Sequence, residues 1–386
     1  MRGKPGLRGG AELFYVLLSL LLYPFLFPFL RPRKNLSRLA VIQTAKIGDL
    51  ICSTPLFREI KRHYPEAELT VFTSPVSRGI LTHNPYVDRV VILDKAEYRG
   101  LRGKLRLARF FRRERFDAVI SLNPNVLYAV SLFWGLVPLR IGILSSFSGR
   151  TYRLASSLFS RVYYHSPERM VSEVHLKMLE PLGIKATDPS RDIFPSPEGE
   201  EKARTFLSSV CEPLIGVAVS SRNRLKAIEP GTWARLIDLI SQNLKARVVL
   251  IGSEAERTFG EHILSRIRDP KAVLNALGAF TLEELPSLLK RLRIFVGVDT
   301  GIMYMADALG VPVVVIAGPT NPREQRPLGK RSLILVPEGL PCAPCSYVFN
   351  TQRSCRRGDR ACITSISPER IFEAVKTLYE KTDSHA

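Results

Sequence analysis

A chain of 386 residues with 56 lysines and arginines against 36 aspartates and glutamates carries a formal charge of +20. An anionic partner is therefore expected: an acidic membrane surface, a phosphorylated substrate or nucleic acid. A hydrophobic content of 45% suits two domains of ordinary size, each with its own core. Six cysteines, two of them isolated at Cys52 and Cys211, exclude a secreted disulfide scaffold and favour a reducing compartment.

Residues 13–30 are apolar without a charge, close to the lower limit for crossing a bilayer. Arg31, Arg33, Lys34 and Arg38 follow where a cleaved signal peptide would have small residues, so the segment reads as a retained anchor. Arg2, Lys4 and Arg8 precede it, and cations on both sides leave the positive-inside rule undecided. Pro24 and Pro28 should kink or break a helix. A re-entrant or interfacial segment with both flanks on the cytoplasmic side is preferred to a straight span, and a buried core helix is disfavoured because no face is polar.

Residues 39–44 form a first predicted strand, followed by a turn through Gly48 and Asp49 and a helical pattern with Ile51, Leu56 and Ile60. Gly48 and Asp49 lie at the strand's C-terminal edge, where ligands of open α/β sheets gather. Thr54 and Pro55 suit an N-cap and first helical residue, or a proline tolerated in an early turn. Strands follow at 68–73, 89–93 and 116–122. Residues 98–115 carry eight cations with Leu101, Leu105 and Ala108 at helical spacing, a basic helix whose Arg102 and Arg106 could contact an acidic acceptor or lipid headgroups, or form a solvated face. No zinc-finger, RNP or helix-turn-helix pattern accompanies the charge, which argues against nucleic acid.

Prolines and charges between 188 and 200 mark a domain boundary, placed after residue 195. Strands at 214–219 and 247–251 flank a helix starting near 231 and carrying Trp233; a helix at 282–292 then leads to a βαβ unit over 295–320. Its turn, Asp299-Thr300-Gly301, delivers a helix N-terminus suited to a phosphate, with Asp299 left to cap the helix or accept from a sugar hydroxyl. Strands alternating with helices predict two Rossmann-like α/β domains with parallel sheets. Cys342, Cys345, Cys355 and Cys362 make C-x2-C-x9-C-x6-C, a spacing compatible with structural zinc, a local disulfide or free thiols.

The chain resembles the heptosyltransferases of glycosyltransferase family 9. The matching pieces are Ile47-Gly-Asp-Leu-Ile-Cys-Ser-Thr-Pro-Leu56, Ser220 to Lys226 with Trp233 after it, Val298-Asp-Thr-Gly301 and Gly318-Pro-Thr-Asn-Pro322. The resemblance implies a GT-B architecture, two Rossmann-like domains facing across a cleft, over 39–195 and 196–386; the anchor read at 1–38 is additional to the family's usual pattern. The resemblance also implies an inverting transfer of a sugar, heptose from ADP-heptose, to a lipopolysaccharide-core or other lipid-linked saccharide at the cytoplasmic face of the bacterial inner membrane.

By position, the resemblance makes Asp49 the general base, with Gly48 and Thr54 on the acceptor side. Lys226, Thr300 and Gly301 bind the diphosphate, Asp299 the sugar hydroxyls and Glu254 or Glu256 the ribose, with Ser220, Tyr304 and Thr320 completing the donor site. The family usually has histidine where this chain has Tyr304, a neutral donor. No Asp-x-Asp occurs, so no catalytic cofactor is expected. In this architecture a terminal helix such as 368–379 often packs back on the first domain. Two other readings stay open: a relative using another nucleotide-sugar, and a non-catalytic membrane scaffold.

Overall fold

The computed structural model describes residues 5–31, 35–219, 221 and 223–383. They form two compact units, Met1–Pro189 and Ser190–Ala386.

In the first unit six parallel strands, β1 (Arg38–Gln43), β2 (Glu68–Thr73), β3 (Arg89–Ile92), β4 (Ala118–Ser121), β5 (Leu139–Ser145) and β6 (Arg161–His165), lie in the order β3-β2-β1-β4-β5-β6. β1 is central, with Val41 opposite Val71 on one side and Ile120 on the other. Leu39 to Ile42 are buried throughout, which explains an unbroken apolar run rather than alternation. The helices are α1 (Pro5–Leu26), α2 (Ile47–Ile51), α3 (Thr54–His63), α4 (Gly100–Glu114), α5 (Val126–Trp134), α6 (Arg150–Ala155) and α7 (Val171–Lys177).

The single helix expected after β1 is two, broken at Cys52 and Ser53. Thr54 is not the cap: Ser53 holds that position and Thr54 begins α3. Helix α1 continues through Pro24 to Leu26, and Pro28 falls in the 3-10 turn Phe27–Phe29. Helix α1 packs on α5 and α6.

The second unit repeats the plan. Its strands β7 (Leu214–Ala218), β8 (Arg247–Ile251), β9 (Val273–Asn275), β10 (Ile294–Val298), β11 (Val313–Ile316) and β12 (Ser332–Leu335) lie in the order β12-β11-β10-β7-β8-β9, all parallel. Helices α8 (Pro197–Phe206), α9 (Pro230–Asn243), α10 (Arg257–Leu264), α11 (Leu285–Leu289), α12 (Gly301–Ala308), α13 (Ala361–Thr364) and α14 (Pro368–Asp383) accompany them. The second unit begins at Ser190 because Arg191 is tied into it, donating to Asp307 at 2.8 Å and to Arg326 O at 2.9 Å. Helix α14 belongs to this unit's core: it packs on α9, β10, β11 and β12, and Ile371, Val375 and Leu378 are buried there.

The first sheet is pinned at its N-terminal edge by Asp117. One carboxylate oxygen, Oδ2, accepts from Ser37 N at 2.8 Å, Arg38 N at 2.9 Å and Ser37 Oγ at 3.1 Å, joining the entries to β1 and β4. A hydrogen bond to a charged group contributes about 1.5–3 kcal/mol, and bonds sharing one acceptor oxygen are not additive. Asp117→Ala should lower unfolding stability by about 3 kcal/mol in urea titrations. A loss below about 0.5 kcal/mol would show that the pin carries no load.

Candidate functional site

The turn between β10 and α12 is built around Asp299. Lys226 donates to Asp299 O at 2.7 Å and to its Oδ2 at 2.8 Å; Tyr304 donates to Oδ1 at 2.6 Å. The Thr320 hydroxyl has a single proton, which either Ala317 O at 2.7 Å or the Asp299 carboxylate can accept. Burial alone would raise the pKa of Asp299, but the Lys226 charge and these hydrogen bonds outweigh it and hold the group below the ordinary aspartate range. The sequence placed Asp299 on sugar hydroxyls and Lys226 on a diphosphate. In the structure both carboxylate oxygens are engaged and two of the three ammonium protons point at Asp299, leaving one for a ligand. The physical reason is that a lysine with its side chain only 13% exposed requires a counter-ion.

Next to this pair, Thr300 caps α12 through its backbone but makes no side-chain cap bond. Its hydroxyl is buried with no hydrogen-bond partner. An orphaned hydroxyl beside the first N–H groups of a helix, the first of them from Gly301, is an arrangement that an anion's oxygens would satisfy. Behind the turn, the Arg191 guanidinium lies 4.8 Å from the centre of the Tyr304 ring and pairs with Asp307. Asp307 also accepts from Leu328 N and Gly329 N.

The cysteine-rich segment braces the loops that carry these residues. Arg360 donates to Arg224 O and Ala227 O and pairs with Glu229, while Asn223 donates to Gln352 O. Cys345 N and Ser346 N both donate to Pro319 O. Gly318 has φ +56°, and a Cβ there would sit 2.4 Å from Ile363 Cδ1, so the turn after β11 needs glycine twice over.

In the first unit Asp49 is half-buried at the C-terminal edge of β1. Lys46 N donates to its Oδ2 at 3.1 Å, so the carboxylate caps α2. A buried polar network fixes this loop. Asn123 Oδ1 accepts from Thr44 N at 2.7 Å, Asn123 Nδ2 donates to Gln43 Oε1 at 2.7 Å, Gln43 Nε2 donates to Ser53 Oγ at 3.0 Å, and Ser53 Oγ donates to Asp49 O at 2.7 Å. His175, whose Nδ1 is 3.5 Å from Ser53 Oγ, is pushed down to about 3 by burial and so is neutral. Thr54 is wholly buried with its hydroxyl on Ile51 O, and Gly48 is buried too, so both shape the loop from behind and Thr54 presents no surface to an acceptor.

The sequence model of glycosyltransferase family 9 (heptosyltransferase) matches residues 104–353. The chain belongs to glycosyltransferase family 9. Lipopolysaccharide heptosyltransferase 2 of Salmonella typhimurium is 24% identical over 88% of this chain and 98% of that protein. Among solved structures, a glycosyl transferase family 9 protein from Veillonella parvula superposes with a TM-score of 0.74 at 21% identity, covering 91% of this chain and 99% of that one. The Escherichia coli ADP-heptose lps heptosyltransferase II does so at 0.70 and 20%, covering 90% and 99%. The fold is therefore the GT-B fold of family 9.

Other residues singled out in this family 9 sequence fall differently. Ser220 lies outside the described residues. Glu254 follows β8 but is exposed and paired with Arg257, while Glu256 caps the same turn through Ser253. Arg102 and Arg106 are exposed on α4; Arg106 lies over the Tyr98 ring and donates to Glu97 O. Trp233 is a core residue with no exposed surface. Among the described residues no three His, Cys, Asp or Glu side chains are grouped so as to hold a metal ion. The cysteines still influence one another: burial and the other three sulfurs push Cys362 up to about 11, and backbone N–H groups lower Cys355. Sequence reasoning missed Asn123, Arg191 and Asp307, whose partners lie far away along the chain.

Replacing Asp299 by Ala strands the Lys226 ammonium and should cost about 3 kcal/mol, the low end for breaking a buried pair. Because the folded pKa of Asp299 is depressed, its contribution is complete above about pH 4 and is lost as pH falls through the folded value. Urea titrations should show a constant gap between wild type and Asp299→Ala near neutrality that closes only in acid. A gap that persists unchanged in acid would rule this pairing out as the source.

Proposed function

We propose that this family 9 chain transfers heptose, with inversion and without a catalytic metal, from ADP-heptose to a lipid-linked saccharide of the lipopolysaccharide core at the cytoplasmic face of the inner membrane. The reading is carried by the Lys226–Asp299–Tyr304 cluster beside the orphaned Thr300 hydroxyl and the N-terminus of α12. The relatives named above supply the donor and the pathway.

Asp49 takes the proton of the acceptor hydroxyl as its oxygen attacks the anomeric carbon. The bond from that carbon to the diphosphate oxygen breaks, and its electron pair leaves with ADP. Lys226, the Thr300 hydroxyl and the free N–H groups of α12 stabilise the charge that grows on the departing oxygen. Asp299 orients the ammonium. With a lysine and a helix terminus neutralising the diphosphate, and no Asp-x-Asp in the chain, the reaction needs no divalent ion.

Purified protein given ADP-heptose and a lipid A–Kdo acceptor should release ADP, while UDP-sugars should give no turnover; the reverse pattern would identify the relative with another donor. Asp49→Ala should lose about 10²–10⁴-fold in turnover and keep ADP affinity. Lys226→Ala should weaken ADP binding as well. ADP binding without turnover in the wild type, indifferent to Asp49→Ala, would favour the scaffold reading.

A structural zinc on Cys342, Cys345, Cys355 and Cys362 is a separate proposal. It is supported by donor chemistry and spacing alone, since four thiolates in C-x2-C-x9-C-x6-C suit a thiophilic cation. Metal analysis of protein purified without chelator should return about one zinc per chain. A zinc-free protein of unchanged stability would retire it.

A further inference from the structure

Helix α1 has two apolar faces with different fates. On the inner face Tyr23 stacks flat on Phe133, centroids 5.4 Å apart, and Tyr15 meets Trp134 edge-on at 6.3 Å. Val16 and Ser19 are wholly buried, and Leu30 after the helix joins the same core. The Lys104 ammonium of α4 sits 4.7 Å from the Tyr15 ring centre. This face is fastened to the first unit. On the outer face Phe14, Leu17, Leu21 and Phe25 recur at helical spacing, and Phe27 and Phe29 extend the row; each of the six is between 51 and 72% exposed. A row of large apolar side chains of this length is not left to water in a soluble protein without an occupant.

Helices α4 and α6, which neighbour α1, carry the charge that selects the occupant. Arg31 closes the row, α4 carries exposed Arg102, Arg109 and Arg112, and α6 carries exposed Arg150 and Arg153. A second protein chain would have to match this excess of cations, whereas an anionic bilayer surface offers acyl chains to the row and phosphates to the arginines. We propose that α1 is a docked in-plane wedge: it stays packed on α5 and α6 while its outer row enters the headgroup and acyl boundary of an anionic membrane. A bilayer-spanning α1 would have to leave α5, abandoning the Tyr23–Phe133 and Tyr15–Trp134 contacts and uncovering Lys104. The inference deepens the membrane-face reading above by naming the element that holds the lipid. It does not depend on the donor or on Asp49, because vesicle flotation is measured without substrate and ADP binding serves only as a check on the variants.

The test is flotation of the full-length protein with preformed vesicles, of phosphatidylcholine alone or mixed with phosphatidylglycerol. Wild type should float with the anionic vesicles. Leu17→Glu with Leu21→Glu and Phe25→Glu should abolish flotation, and the milder Leu21→Gln with Phe25→Gln should weaken it, while thermal unfolding and ADP binding stay at wild-type values. Arg109→Gln with Arg112→Gln should weaken anionic-vesicle binding about tenfold and leave neutral vesicles unaffected. Three results overturn the proposal: equal flotation of wild type and both outer-face variants; outer-face variants that convert a dimer to a monomer with vesicle binding unchanged, which assigns the face to a second copy; or wild type and triple variant remaining alike in cell membranes after alkaline carbonate, which assigns a span.

Discussion

The second unit of this protein depends on one buried ion pair. Lys226 and Asp299 are brought together from loops 73 residues apart, and each makes the other tolerable in a site from which water is largely withdrawn. Such a pair contributes little net stability compared with apolar packing, because both charges must be desolvated. Its value is positional. It fixes the ammonium beside the N-terminus of α12, and it leaves one ammonium proton and the Thr300 hydroxyl unspent. A ligand with several negative oxygens would complete what the folded chain leaves incomplete.

That pair is maintained by the segment that looked least regular. Between 342 and 362 no long helix or strand forms, yet its side chains and backbone bond to the loop before Lys226, the loop after it and the turn at 318–320. Ligand-facing loops of an open α/β sheet are individually weakly held. Tying two of them to a third piece of chain converts separate mobilities into one. In the first unit the same task falls to the Asn123–Gln43–Ser53 chain, which works by burial rather than by bracing.

Legibility in the sequence followed the range of the interaction. Strands buried on both faces, such as β1, β2, β8, β10 and β11, announce themselves as short apolar runs, and their alternation with helices exposes the fold. Strands β5, β6, β9 and β12 do not stand out: β9 is three residues long, β12 is only half-buried, and β6 reads Arg-Val-Tyr-Tyr-His with most positions exposed. The turn at 299–301 was visible because its cues are local. Asn123, Arg191 and Asp307 were not, since nothing near them in the chain signals a partner 79 or 116 residues away. Helix α1 was ambiguous for a different reason: apolar residues all round conceal which face the protein itself covers, and only packing separates the Tyr15–Tyr23 face from the Phe14–Phe25 face.

The tyrosine at 304 follows from the same long-range chemistry. A protonated histidine ring at this position would face the Arg191 guanidinium 4.8 Å away and suffer its repulsion. A phenol turns that neighbour to advantage, since the cation lies against the negative face of the ring while the hydroxyl donates to Asp299 at 2.6 Å. Arg191 cannot move aside, being held by Asp307 and Arg326 O. Positive charge is thus supplied by a fixed, permanently ionised guanidinium behind the ring rather than by a group that titrates near neutrality. Tyr304 and the buried Arg191–Asp307 pair thus act together: a neutral donor meets Asp299 while the cation stands one layer behind the ring.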